Sequence, residues 1–113
     1  MNEVSKATFD LANARVVVYV SYPSPVYYES VEDAQEDVEE AADEVADWIR
    51  SVLGGGARPK PCIVLGAKDR VVISKEIPLS SRQIMNWTTL SPFGGQKAEL
   101  KGILGQNGFH LDA

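Results

Sequence analysis

The longest periodic pattern of apolar positions in the chain runs from Val31 to Leu53. Apolar residues recur there at the three- and four-residue spacing that places side chains on one face of an α-helix. Ser30 can accept a hydrogen bond from a free amide at the helix start, and Gly54 can adopt the positive φ that ends a helix. The pattern therefore predicts one long amphipathic helix over residues 31–53. Its apolar positions are Val31, Ala34, Val38, Ala41, Ala42, Val45, Trp48, Ile49, Val52 and Leu53.

The polar positions of this predicted helix carry charges of one sign, and no lysine or arginine occurs before Arg50. Like charges four residues apart are each unfavourable by a few tenths of a kcal/mol, about 1–3 kcal/mol over the helix. A small domain has a total stability of about 5–15 kcal/mol, so this cost is noticeable. The acidic positions, called the acidic face below, are Glu32, Asp33, Glu36, Asp37, Glu39, Glu40, Asp43, Glu44 and Asp47. Two interpretations stay open: a solvated surface without a partner, and an electrostatic docking surface.

Two stretches before the helix have the character of β-strands. Residues 7–11 alternate between apolar and polar side chains. This is weak evidence for a short first strand, and the pattern does not decide whether that strand exists. Residues 15–21 are β-branched and apolar on both alternating faces, which predicts a central strand covered on both sides. Pro23 and Pro25 follow and are expected to end it.

The second half of the chain predicts a hairpin and two short helices. Residues 62–65 and 70–77 form two strands joined by a turn at Gly66 to Asp69. Ser80 with Gln83 three residues later is a capping box, which predicts a helix over 81–89. A last helix is predicted over 96–104, ending at Gly105. The apolar positions expected in or near the core are Ile84, Met85, Trp87, Leu100, Ile103, Leu104 and Phe109.

Together these elements predict a single α+β domain over residues 1–113. It combines an antiparallel or mixed sheet of three to four strands, the long acidic helix packed across one face, and two short C-terminal helices. A chain of 113 residues that is 44% hydrophobic can bury a core without disulfides. The order of the strands is not determined by these patterns.

Charge divides the chain into two unlike halves. Residues 1–54 carry a net charge of −9 and residues 55–113 a net charge of +4, which together give the −5 of the whole chain. The halves can neutralise each other, meet between copies of the protein, or serve different partners. The single cysteine, Cys62, fits a reducing compartment. With no long apolar run, a soluble cytoplasmic protein is expected.

The chain has few residues suited to catalysis. His110 is the only histidine and is expected to lie in an exposed C-terminal tail. Cys62 is expected to begin a buried strand, where an apolar setting raises the pKa of the thiol and makes it inert. One histidine and one cysteine do not make a transition-metal site, and the carboxylates lie on a regular helix rather than around a calcium loop. We therefore expect no enzyme activity, no metal and no cofactor.

A nucleotide- or nucleic-acid-binding module is the alternative function. Gly94, Gly95 and the following amides can form an anion pocket at a helix start. Residues 80–104 also resemble a helix-turn-helix unit, although the break between the helices is long and the acidic face would repel phosphate. The candidate anion-binding residues are Arg58, Lys60, Lys68, Gly94, Gly95, Lys97 and Lys101.

The preferred interpretation is a small non-enzymatic binding protein. A rigid helix with a continuous negative face presents regularly spaced charges, as a nucleic-acid backbone does, and a basic groove can accept either. Tyr27 and Tyr28 stand at the edge of this face, where their amphipathic rings suit recognition. Immunity proteins and phage-encoded antagonists of host defence inhibit nucleic-acid-handling proteins on this logic, an analogy of charge and size only. A viral or mobile-element origin and self-assembly through acidic and basic faces are further hypotheses.

Overall fold

The strand Arg15–Pro23 lies at the centre of a five-stranded mixed sheet. The computed structural model describes residues 3–23, 31–66, 69–91 and 93–112. The strands are β1 (Val4–Asp10), β2 (Arg15–Pro23), β3 (Ile63–Gly66), β4 (Arg70–Pro78) and β5 (His110–Asp112). Their order in the sheet is β3-β4-β2-β1-β5, with β5 parallel to β1 and all other neighbours antiparallel.

Three helices complete the α+β fold, which confirms the predicted class. Helix α1 (Val31–Trp48) continues without a break through a π-helical segment (Ile49–Leu53). Helix α2 spans Ser81–Thr89 and helix α3 spans Gly95–Gln106. Gly54 follows the long helix with φ +80°, and its N–H donates to the Ile49 carbonyl at 3.0 Å. Ser30, the predicted N-cap, lies outside the described residues.

The predicted strand number is wrong, because the sheet has five strands rather than three or four. The first strand, left open over 7–11, is present as β1 and begins at Val4. The last strand, β5, has three residues and includes His110, which was expected to lie in an exposed C-terminal tail. It pairs with β1 through backbone hydrogen bonds, which leave no periodic signal in so short a segment.

The sheet has one face covered by the described helices. Along β2 the even-numbered side chains, such as Val16 and Val18, are fully buried, whereas Val17 and Tyr19 on the opposite face are half-buried. Helix α2 lies on the covered side, where the Trp87 ring stacks on Phe9 at 3.7 Å between ring centroids. The expectation that β2 is covered on both faces is therefore wrong for the described part of the chain. Apolar residues on both sides of the strand cannot by themselves show which face a helix will cover.

The C-terminal helices largely follow their sequence signals. The capping box at Ser80 is confirmed, because the backbone N–H of Gln83 donates to the Ser80 hydroxyl at 3.1 Å. Trp87 is 4% exposed, but Met85 is 63% exposed and was wrongly expected near the core. Helix α3 continues through Gly105 to Gln106, so Gly105 does not end it.

Strand β3 contradicts the expectation of a buried strand after Cys62. Ile63, Val64 and Leu65 are 51%, 41% and 61% exposed, and among the described residues β3 pairs on one side only, with β4. An apolar run is typical of a buried strand, but here the run forms an edge of the sheet.

No described helix has an apolar stretch long enough to cross a lipid bilayer.

Candidate docking surface

The acidic face forms the whole outward surface of α1 between Glu32 and Asp47. Every exposed position in this range carries a carboxylate, and only Glu44 of the nine acidic residues is half-buried. The opposite side of the helix, which includes Ala34, Val38 and Val45, is fully buried. Because α1 has 18 residues with a rise of about 1.5 Å each, the helix that carries this face is about 27 Å long.

Some of these carboxylates have partners within the protein. The Glu39 carboxylate lies 3.8 Å from the Nζ atom of Lys75 on β4. Asp47 forms an ion pair with Arg50 one turn later, and Glu44 accepts a hydrogen bond from the Asn107 side chain. These contacts lie at the margins of the face, next to the sheet and next to α3.

The middle of the face is not neutralised by the described part of the chain. Glu32, Glu36, Glu40 and Asp43 form no ion pair or hydrogen bond with a described residue. These four side chains share one stripe of the helix, at the three- and four-residue spacing. Their mutual repulsion is therefore not offset by an ion pair with a described residue.

Two ion pairs of the described residues involve lysines of the second half. Lys60 contacts Glu76 of the same half at 3.8 Å, whereas Lys75 contacts Glu39 of the acidic face at 3.8 Å. Arg15 of the first half contacts Asp10 at 3.0 Å and Glu76 at 3.7 Å. The Lys75 pair therefore links the second half of the chain to the acidic face.

Three predicted site residues cannot be placed. Tyr27 and Tyr28, assigned to the edge of the acidic face, and Lys68, assigned to the anion site, lie outside the described residues.

A small acidic cleft borders the face on the side of α3. Glu44, Asp47 and Trp48 of α1 and Glu99 of α3 line a cavity of about 290 Å³, together with Ser51 and Ile103. The Trp48 side chain is buried, and its indole N–H has no hydrogen-bond partner among the described residues. Sequence reasoning missed Glu99, because only the packing of α3 against α1 brings its carboxylate beside the acidic face. Carboxylates around an aromatic ring suit a guanidinium or ammonium group.

A separate basic pocket lies at the start of α3. Lys97 and Lys101 line a cavity of about 420 Å³ with Gly94, Trp87 and Phe93. The Phe93 ring is 97% exposed, and the Lys97 Nζ atom stands 4.2 Å from the centre of the Trp87 ring. The structure thus brings together three of the predicted anion-binding residues, with Gly95 exposed in the first turn beside them.

The other predicted anion-binding residues do not join this pocket. Arg58 and Lys60 are exposed on the connection between α1 and β3, and Lys60 pairs with Glu76. The pocket's aromatic residues, Trp87 and Phe93, were not among the predicted site residues. They lie on either side of a helix break, so nothing in their spacing indicates that they share a cavity.

The two residues considered for catalysis lie apart on different strands. His110 is not in a free tail but is exposed on β5, at a position that pairs with Lys6. Cys62 is half-buried before β3, and burial raises the pKa of its thiol, with the nearby Glu39 carboxylate acting in the same direction. A protonated thiol is a poor nucleophile. Among the described residues no group of three His, Cys, Asp or Glu side chains is arranged to hold a metal ion.

Comparison of the chain with protein-family models, with curated proteins and with solved structures finds no significant match.

Proposed function

We propose that this protein is a non-enzymatic binding protein whose acidic face docks on a basic surface of a partner protein. The observation that carries the proposal is the uninterrupted carboxylate surface of α1, whose central residues Glu32, Glu36, Glu40 and Asp43 have no counter-charge among the described residues. A basic partner would supply that charge and release bound counterions on docking.

The partner's chemistry follows from the geometry of the face. A rigid helix surface about 27 Å long with a carboxylate at every exposed position resembles the edge of a nucleic-acid backbone in charge density. A groove lined with lysine and arginine is complementary to it. We therefore propose an inhibitor or decoy that occupies the nucleic-acid groove of a nucleic-acid-handling protein, as immunity and anti-defence proteins do. A cytoplasmic site of action fits the presence of one cysteine, Cys62, in the sequence.

Charge reversal on α1, compared with the same reversal elsewhere, tests this proposal. In the α1-reversed variant, Glu36, Glu40 and Asp43 are changed to lysine. In the charge-matched control, the exposed residues Glu3, Asp69 and Asp112, which lie outside the acidic face and its cleft, are changed to lysine, which gives the same net charge. Each tagged protein is used to capture partners from a cell extract at low and raised salt, with identification by quantitative mass spectrometry.

A basic nucleic-acid-binding protein should be retained by the wild type and by the control but lost from the α1-reversed variant. Addition of DNA or RNA should displace it from the wild type, because both ligands compete for one groove. If the α1-reversed variant retains the same proteins as the wild type, the proposal is wrong.

A nucleotide- or nucleic-acid-binding function is the second candidate, and the basic pocket at α3 favours it. An exposed aromatic ring beside two lysines can stack on a base while the lysines contact phosphate. Binding of ATP and of a single-stranded oligonucleotide should be measured by equilibrium dialysis. The pocket variants Lys97→Gln and Lys101→Gln should lose binding, whereas Arg58→Gln, which removes one exposed positive charge outside the pocket, should not. Absence of binding by the wild type excludes this candidate.

A further inference from the structure

Strand β3 presents an open, apolar edge of the sheet. Natural proteins protect an edge strand with charged side chains, a proline or a covering element. The exposed residues Ile63, Val64 and Leu65 carry none of these features within the strand, and no described strand pairs with their free side. Such an edge can accept an added strand through backbone hydrogen bonds.

The acidic face lies beside this edge on one side of the sheet. Val64 is in register with Ile73, and Ile73 shares the helix-covered face with Lys75, which pairs with Glu39. Gln35 and Glu39 of α1 lie near the Cys62 thiol, just before β3. Thus the margin of α1 reaches the residue that precedes the edge strand.

The opposite side of the sheet has a different character next to the same edge. Ile63 and Leu65 point there, in register with Ser74 and Val72 of β4. Neighbouring Val72 is half-buried and continues the apolar surface into the sheet. A strand added to β3 would therefore meet carboxylates on one face and aliphatic side chains on the other.

We propose that β3 and the margin of the acidic face form one docking site for an extended segment of the partner in which basic and apolar residues alternate. This inference rests on the proposed function and specifies the form of the partner. The alternation follows from the two-residue period of a strand, which sends lysine or arginine toward the side of the sheet that carries the acidic face and apolar side chains toward the side of Leu65.

Charge complementarity selects this occupant over a second copy of the chain. Antiparallel pairing of two β3 strands has a two-fold axis perpendicular to the sheet, which places both copies of α1 on the same side. Two acidic faces would then approach each other across the new junction, and like charges oppose that approach. A basic segment experiences attraction at the same place.

Synthetic peptides of about eight residues, a common strand length, test the inference. The probe alternates valine and lysine. A block peptide has the same composition with the valines and lysines separated, and a third peptide repeats the probe with alternate backbone nitrogens methylated. Binding to the isotope-labelled full chain is followed by NMR chemical shifts and by amide hydrogen exchange over residues 63–66.

The alternating probe should change the chemical shifts of residues 63–66 and slow the exchange of their amide hydrogens. Both control peptides should bind at least about tenfold more weakly than the probe. The double variant Ile63→Lys, Leu65→Lys should weaken binding of the probe to the same extent. Met85→Lys, at another exposed apolar position, should leave binding of the probe unchanged. These positions are exposed, so the variants are expected to fold, and the NMR spectrum verifies this.

Equal binding of the alternating and block peptides, with shifts confined to α1, would overturn strand addition while leaving the acidic-face proposal intact. Absence of binding by every peptide overturns strand addition too, and the proposed function is then judged separately by capture with the α1-reversed variant. A dimer of the free protein that the Ile63→Lys, Leu65→Lys variant abolishes would show that a second copy occupies the edge instead.

Discussion

The Nζ atom of Lys75 lies 3.8 Å from the Oε1 atom of Glu39, and this ion pair joins the acidic face of α1 to strand β4. The Lys75 side chain is 15% exposed, whereas that of Glu39 is 51% exposed. The cost of breaking this ion pair therefore depends on which of the two charged groups is left behind. Loss of the carboxylate leaves a largely buried ammonium group without its counter-charge, whereas solvent screens much of the attraction on the glutamate side.

Glu39→Gln should lower the free energy of unfolding by about 0.5–1.5 kcal/mol, because Lys75 loses its charged partner. Urea denaturation at neutral pH measures this. The matched control is Glu36→Gln, which removes a carboxylate with no described partner and should leave stability unchanged or slightly raised. Equal effects of the two substitutions would contradict a stabilising role for the ion pair.

Glu40→Lys should raise the free energy of unfolding by about 0.5–1.5 kcal/mol. Residue 40 has Glu36 and Glu44 four residues away on either side, so the substitution replaces two repulsions by two attractions. The gain should shrink as salt is added, because both effects are screened at the surface. Thermal unfolding at low and high ionic strength measures it. A destabilised variant, or a gain that salt does not change, would show that repulsion along the face is not significant.

Gln83→Glu should destabilise the protein by about 2–4 kcal/mol. Gln83 is 2% exposed, and its Nε2 atom donates to the carbonyls of Gly54 and Gly56 at 2.8 and 2.7 Å. A carboxylate has nearly the same shape but cannot donate to these carbonyls. The comparison is Ser80→Ala, which removes only the helix cap and should lower stability by about 1 kcal/mol. Equal losses in chemical denaturation would mean that the two carbonyl contacts contribute nothing.

The Cys62 thiol should react with iodoacetamide only at higher pH than the same thiol in the unfolded chain. Burial raises its pKa, and the Glu39 carboxylate raises it further, so Glu39→Gln should move the pH profile toward lower pH. A raised folded-state pKa stabilises the fold below the unfolded-state pKa, and this contribution is lost as pH rises through the folded-state value. Cys62→Ser should remove that alkaline loss. Identical pH profiles for folded and urea-unfolded protein would contradict the pKa shift.

The elements with strong local signals were predictable from the sequence. Periodicity alone located the long helix over residues 31–53, and the Ser80 and Gln83 pair located the start of α2. The outward direction of the acidic residues follows from the same periodicity, because the buried and acidic positions occupy complementary arcs of one helix.

The features that depend on contacts between distant elements were not predictable. Strand β5 forms only because β1 offers a free edge, and Glu99 joins the acidic cleft only through packing of α3 on α1. The Oε1 contact of Gln83 is a local cap, but its Nε2 contacts reach residues almost thirty positions earlier. The exposure of β3 likewise depends on its place in the strand order, which an apolar run does not reveal.

The most direct test of the acidic face is the affinity of the captured partner for three proteins: the wild type, the α1-reversed variant and the charge-matched control. Calorimetric titration at several salt concentrations provides the dissociation constants. Docking on the acidic face predicts that reversal of Glu36, Glu40 and Asp43 weakens binding by about a hundredfold and flattens its salt dependence. Reversal of Glu3, Asp69 and Asp112 should change the affinity by less than about tenfold, because those charges lie outside the acidic face and its cleft and act only at long range. Equal weakening in both variants would show that net charge, rather than the surface of α1, determines binding.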